Sequence, residues 1–236
     1  MKILTVISNY NEEKAIGDTI TEFLENNTLD SDLLVIDNCS SDKSIELIKS
    51  TGVNYLVHPV NTGGSAGVIK SAFAYAYYHN YDIYCHLDGD NQHIASELSK
   101  IVNPLLKSND FDIIIGSRYI KKEGFQSTFA RRMGIVLFSK ILSKITKTSL
   151  TDITSGFRAY NKKAIKFFGK NVKHEIEACV QMLLLAHFAG LKMNEVPVKM
   201  RPRVSGKSEI NLINALKFPL YGFINLVGTL IQKRKK

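Results

Sequence analysis

Along residues 2–117, short apolar runs alternate with longer stretches whose apolar positions recur every three or four residues. "KILTVIS" is followed by "EEKAIGDTITEFLEN", then "DLLVID", "SDKSIELIKS", "VNYLVH", "GSAGVIKSAFAYAYYHN", "YDIYCHLD", "IASELSKIVNPLLKS" and "FDIIIGS". Continuous β-branched runs separated by helical segments predict a mostly parallel sheet covered on both faces. The polar, turn-rich pieces follow the strands, which is where open α/β sheets bind ligands. Beyond Gly116 the alternation weakens. "KKEGFQS" reads as a loop, "TFARRMGIVLFSKILSKITK" as a long, mostly apolar helix, "DITSGFRAYN" as turns, and "HEIEACVQMLLLAHFAG" as a helix closed by Gly190. "LKMNEVPVKMRPR" reads as an edge strand, because Pro197 interrupts any ladder.

Residues 209–232 carry a thin polar stripe (Asn214, Lys217, Tyr221, Asn225, Gly228, Gln232) beside a broad apolar face that includes Leu216, Leu220, Phe223, Ile224 and Val227. Lys217, Pro219 and three Asn oppose a spanning helix. An amphipathic helix lying in the membrane interface, tethered by the terminal "KRKK" to anionic headgroups, fits the pattern. Docking on the core or on a sister subunit is the alternative. The expected division is a domain at 1–208 and an amphipathic helix with a polybasic tail at 209–236.

The 236 residues, 44% hydrophobic and 22% charged, suit one large α/β domain. The net charge of +9 turns attention to nucleic acid, anionic membrane or phosphorylated substrates. No aromatic-rich basic strand or nucleic-acid module accompanies it, so no nucleic-acid partner is expected. Cys39, Cys85 and Cys179 lie far apart, without the spacing of a disulfide framework or a zinc site, which predicts a reducing compartment. "MKILTVISNY" is too short in its apolar run for a signal peptide and reads as a first strand.

Candidate chemistry concentrates in "HLDGDNQH", His86 to His93. As a calcium loop it fails, because His93 stands where the EF-hand needs Gly and no Glu follows at the closing position. "DGDN" is good turn chemistry, but a turn does not explain two carboxylates at the end of a buried strand. Mg²⁺ or Mn²⁺ takes hard oxygen ligands, often one or two carboxylates with substrate phosphates completing the shell. Asp88 and Asp90 are so placed. "NTGGSAGVIKS" is not a Walker loop, since Ile69 precedes Lys70, although the helix it starts is free to face a nucleotide.

"NYNEE", "IDNCSSD", "DGDNQH", "GSRY", "DITSGFRAY" and "EVPVKMRPRVSGKS" occur in one order along the chain. The ordered set resembles the family 2 glycosyltransferases of GT-A (Rossmann-like) fold, and within them the polyprenyl-phosphate sugar transferases of the dolichol-phosphate mannose synthase group. The resemblance implies transfer of a sugar, with inversion, from a UDP- or GDP-linked donor to an undecaprenyl or dolichyl phosphate, by a peripheral protein on the cytoplasmic side of the membrane. It places Asn11, Glu12, Asp37, Asp88 and Arg203 by the nucleotide sugar. Asp88, Asp90 and Gln92 would hold Mg²⁺ or Mn²⁺ and the diphosphate. Arg118, with Arg131 or Arg132, would bind the acceptor phosphate, and Asp152 would stand near the attacking group, so that Asp152, Asp90 and Arg118 form the expected catalytic set. Asn38-Cys39 replaces the family's Asp-Gly, and Ser8-Asn9 its Pro-Thr. Two alternatives stay open: a transferase to a hydroxyl of a growing cell-surface polysaccharide or lipid-linked glycan, with Asp152 as base, and a non-catalytic membrane adaptor. A homo-oligomer or a small membrane partner is compatible with either.

Overall fold

The computed structural model describes residues 1–126, 129–170 and 180–203. The start of the helix read at 174–190, the interfacial helix, the "KRKK" tail and the boundary at 208 lie outside the described residues.

Among the described residues, seven strands and seven α-helices appear in the order β1 (Ile3–Asn9), α1 (Ile16–Glu25), β2 (Asp32–Asp37), α2 (Ser44–Ser50), β3 (Asn54–Val57), α3 (Ser65–Tyr78), β4 (Ile83–Asp88), α4 (Leu98–Lys107), β5 (Ile113–Ser117), α5 (Phe129–Thr146), β6 (Arg158–Asn161), α6 (Lys162–Lys170), α7 (Val180–Phe188) and β7 (Met193–Pro197). They form one sheet in the order β3-β2-β1-β4-β6-β5-β7, parallel except for β6. The central strands are mostly apolar because both faces are covered. Leu4 and Val6 of β1 point into the core under α3, α5, α6 and α7, whereas Ile3 and Ile7 point into the core under α1 and α4. The expected architecture, a mostly parallel sheet with helices on both faces, is present.

The stretch read as turns departs from expectation. Residues 158–161 form β6, an antiparallel strand inserted between β4 and β5, and α6 follows at once. Four residues that begin with Arg158 and end with Asn161 carry no alternation of their own. Pairing on both sides, not local pattern, makes this strand. Behind it, Phe73 of α3 packs against Tyr84, Tyr160 and Phe168, ring centroids 4.8–4.9 Å away. β7 lies at the sheet edge and ends on Pro197, as that proline predicts. Among the described residues no helix is long and apolar enough to cross a membrane.

Candidate active site

Strand order reverses between β1 and β4, and in open α/β sheets the crevice at such a point, beyond the carboxyl ends of the strands, is the ligand site. Register aligns Ser8 with Asp88 and Asn9 with Asp37 at those ends. The groove above them is lined by Ser8, Asn9, Tyr10, Glu12, Asn38, Gly64, Ser65, Val68, Asp88, Gly89, Asp90, Gln92 and Arg203. Gly89 is required there, since a Cβ would stand 2.8 Å from the Ser8 carbonyl oxygen.

Asp88 ends β4 with its side chain 37% exposed. Its backbone N–H donates to His93 Nδ1 (3.0 Å), which leaves the imidazole proton on Nε2, 3.6 Å from Asp88 Oδ2. His86 Nε2 lies 3.5 Å from Asp88 Oδ1, while His86 Nδ1 is bonded to the Tyr84 hydroxyl at 2.7 Å. Ser8 Oγ donates to Asp88 Oδ1 at 3.2 Å. Burial alone would raise the Asp88 pKa, but His93, His86 and Ser8 outweigh it and hold the carboxyl well below its ordinary value. Asp90 goes the other way. Burial and the charge of Asp88 push it up to about 7. Burial raises Glu12 as well and lowers His93 to about 4. Among the described residues the guanidinium lining this groove is that of Arg203, which pairs with Glu12 and places Nε 3.3 Å from Asp90 Oδ2.

This donor set fits a divalent cation. Two adjacent carboxylates, one of them pushed to about 7 by burial and by the charge of the other, have the electrostatics a bound dication relieves. Among the described residues no group of three or more His, Cys, Asp and Glu side chains could hold a metal ion unaided, so a ligand oxygen would complete the shell, as Mg²⁺ sites commonly require. Gln92 lines the same groove, with its amide nitrogen donated to the Arg201 carbonyl at 3.2 Å.

Arg203 reaches the groove because residues 198–203 form a strap. Val198 N–H bonds Ser117 O, Lys199 N–H bonds Glu97, Met200 bridges to both His93 and Gly124, and Arg201 N–H bonds Gln92 O. The Arg201 guanidinium grips both oxygens of Glu22 and also Asn91 Oδ1. Gly124 has φ +75° and no space for a Cβ, which would fall 2.4 Å from the Met200 carbonyl oxygen.

Two residues expected beside the nucleotide serve the loops instead. Asp37 is fully buried and outside the groove lining; it accepts from Ser40 N–H (2.8 Å), Ser40 Oγ (2.6 Å) and Asn9 Nδ2 (2.7 Å). Asn11, at φ 52°, accepts from Ser41 N–H and joins the loop after β1 to the loop after β2. Asn38, not Asp37, reaches the groove, beside the N-terminus of α3 at Gly64 and Ser65. That helix start faces the site as foreseen.

On the far side, Arg118 and Asp152 close on each other. Asp152 is fully buried; its Oδ2 accepts Arg118 Nε at 2.7 Å and its Oδ1 accepts Nη2 at 2.9 Å, with Thr154 Oγ1 at 3.0 Å. Burial would lower the Arg118 pKa, but Asp152 raises it further. Asp152 is therefore not an accessible base, and its pairing with Arg118 suits a positioning role. Arg118 and Arg132 both lie over the Tyr119 ring, 5.3 and 5.6 Å from its centroid. The side chain of Arg131 lies outside the described residues.

Sequence reasoning missed four contributors. His86 shares the Asp88 face of β4; the i, i+2, i+4 file Tyr84–His86–Asp88 is the signal that finds it. Arg158, opposite His86 in register, and Asn9 are buried polar residues of the site floor. Glu195, on edge strand β7, binds the loop that carries Asp152.

The family model described as glycosyl transferase family 2 matches residues 5–168. The chain is 26% identical over 216 residues to the UDP-N-acetylglucosamine–dolichyl-phosphate N-acetylglucosaminyltransferase of Methanococcus voltae, covering 84% of each chain. It is 24% identical over 221 residues to the undecaprenyl-phosphate mannosyltransferase of Micrococcus luteus, covering 89% of this chain and 88% of that one. In fold it is similar to the glucosyl-3-phosphoglycerate synthase of Mycobacterium tuberculosis, solved with Mn²⁺, UDP and glucosyl-3-phosphoglycerate: TM-score 0.69 at 16% identity, over 97% of this chain and 79% of the other. A match that runs from β1 into α6, over a GT-A sheet with paired aspartates at the end of β4, shows that the chain belongs to glycosyl transferase family 2 and is a glycosyltransferase.

Proposed function

We propose that this glycosyltransferase moves a sugar from a UDP- or GDP-linked donor onto a polyprenyl phosphate at the cytosolic membrane surface, with inversion at the anomeric carbon. The observation that carries the reading is the divided pair at the end of β4: Asp88 kept ionised and Asp90 driven to about 7, both facing one groove. Asp88 and Asp90, with Gln92 beside them, would hold Mg²⁺ or Mn²⁺, whose chemistry there is to offset the charge growing on a departing diphosphate. Arg203, at the end of its strap, gives that diphosphate a guanidinium to meet.

The acceptor follows from what the other side lacks. A hydroxyl acceptor needs a base, and Asp152 is buried and bonded to Arg118 through both oxygens. A phosphate monoester has its second pKa near 6; it attacks already ionised and needs cations to hold it in line. Arg118 and Arg132 around Tyr119 supply them. The two relatives named above act on dolichyl and undecaprenyl phosphates, which supports the same acceptor class.

The membrane side is argued from the same segment. Residues 118–147 hold eight Lys or Arg and one acid, Glu123. Met133, Val136 and Leu137 of α5 are 60%, 43% and 58% exposed, on one face of the helix at i, i+3, i+4 spacing. Apolar side chains flanked by cations suit an anionic lipid interface. The interfacial helix expected at 209–232 would add to that surface.

The test is incubation with a panel of sugar nucleotides, Mg²⁺ or Mn²⁺ and undecaprenyl phosphate, read by mass spectrometry. A lipid-phosphate sugar labile to mild acid is expected. An acid-stable glycoside, or no lipid product with any donor, would overturn the reading.

A further inference from the structure

Glu195, on edge strand β7, is buried and carries three hydrogen bonds that all leave its own strand. Oε2 accepts the backbone N–H of Thr151 at 2.7 Å and its hydroxyl at 2.6 Å; Oε1 accepts the backbone N–H of Asp152 at 2.9 Å. Two chains of contacts start there. One runs through Asp152, whose carboxylate fixes both Nε and Nη2 of Arg118. The other runs through the Thr151 hydroxyl. Because that hydroxyl donates to Glu195, the Ser117 hydroxyl 2.7 Å away donates to Thr151, and Ser117 Oγ in turn accepts the Tyr119 N–H at 3.1 Å. Both chains end on the residues that flank the Tyr119 ring.

A buried carboxylate is a costly strand anchor, since an apolar residue of similar size serves a strand end as well or better. Its three accepted bonds instead dictate where the 151–152 loop sits relative to the 117–119 loop, two segments that share no strand pairing. A bidentate pair aims a guanidinium only if the carboxylate itself is immobile.

We propose that Glu195 is a positioning residue for the acceptor end of the site: through Asp152 and Thr151 it fixes Arg118 and Tyr119 in the orientation that receives the acceptor's phosphate. The inference rests on the proposed polyprenyl-phosphate reading. Glu195 touches no reacting atom. It acts wholly through the two loops.

The experiment compares Glu195→Gln with Arg118→Ala in steady-state kinetics with undecaprenyl phosphate. Hydrolysis of the donor without acceptor is measured alongside. The amide of Glu195→Gln keeps the shape but offers N–H groups where two donors already point, so the loop shifts. The acceptor KM should rise about tenfold, the scale of one hydrogen bond to a charged group. Donor KM and donor hydrolysis should stay within about twofold, since the metal loop is untouched. Thr151→Val, which removes only the hydroxyl chain, should raise acceptor KM about threefold, and it decides the question if Glu195→Gln does not fold. An equal loss in donor use, acceptor use and hydrolysis would make Glu195 a support of the fold and overturn the inference. If Arg118→Ala raises the acceptor KM while neither Glu195→Gln nor Thr151→Val does, the inference fails and the acceptor reading stands. If Arg118→Ala leaves the acceptor KM unchanged, the acceptor reading fails and takes this inference with it.

Discussion

Asp88 and Asp152 are the same residue in opposite circumstances. Asp88 sits in a groove with Asp90 and Glu12, three carboxylates facing the guanidinium of Arg203, and keeps its side chain 37% exposed. Asp152 is fully buried and meets the fork of Arg118 with both oxygens. One region is left with negative charge to spare, and the other balances acid with base inside the protein. Excess charge over a groove calls for a ligand cation; balanced charge in the interior holds a shape. The difference assigns roles that residue type alone does not.

The largest effects should separate the two regions most cleanly. Asp88→Asn should cut kcat roughly 10²–10³-fold, the scale of losing a main electrostatic contact to the departing group. Its melting temperature should fall only modestly, because the lost contacts of the ionised carboxylate with His93, His86 and Ser8 are offset by the relief of Asp90. Asp152→Ala should instead destabilise the fold by roughly 3–5 kcal/mol, since it strands a buried guanidinium. Thermal melts and single-turnover rates check both. A Asp88→Asn protein that melts early with full activity per folded molecule would erase the contrast. Chelation should likewise stop turnover without unfolding the protein, with activity returning on addition of Mg²⁺ or Mn²⁺.

The same contrast explains what the sequence makes legible. Strands β1, β2, β4 and β5 announce themselves because both faces are covered, so most positions are apolar. Asp88 and Asp90 stand out because they end such a strand. The pairing inside the closed region leaves no local trace. Arg118 and Asp152 are 34 residues apart, and Glu195 lies 44 residues from Thr151; their pairing is a product of topology. β6 is hidden for the same reason, since neighbours on each side make it a strand. Asp37 shows the same limit from the other side. It occupies the expected strand end, yet Asn9 and Ser40 fold over its oxygens, and no spacing rule says which polar neighbour will close.

A pH titration sharpens the open region. Asp90 holds its proton to about 7, against an ordinary value of 3.8. The folded chain therefore binds a proton the unfolded chain has released. That contribution to stability is full below about pH 4, falls as pH rises and is lost once pH passes about 7. Asp88, held below its ordinary value, acts in the opposite sense and only in more acidic solution. A cation arriving between them must displace the Asp90 proton. Affinity for Mn²⁺ in the presence of UDP or GDP should rise about tenfold per pH unit from 5 to 7 and level off above. Calorimetric titration reads it, and an affinity flat across that range would contradict the divided pair.

The smallest expected effect concerns strain at the rim of the same region. Asn11, Cys39 and Asn91, one in each loop that borders the groove, adopt φ of 52°, 67° and 60°. Asn tolerates the left-handed region, because its short polar side chain bonds locally. Cys39 has no such excuse: its thiol reaches only the Pro59 carbonyl, at 3.9 Å. The related pattern has Gly at this position, the residue that region favours. Cys39→Gly should relieve about 1–2 kcal/mol of backbone cost, offset by about 0.5–1 kcal/mol from the greater freedom of glycine in the unfolded chain. Cys39→Ala keeps the strain and serves as reference. Glycine should therefore melt a few degrees above alanine, with donor KM unchanged if the loop holds its shape. Should alanine equal glycine, the loop is relaxed at Cys39, and the open region is set apart from the closed one by its charge alone.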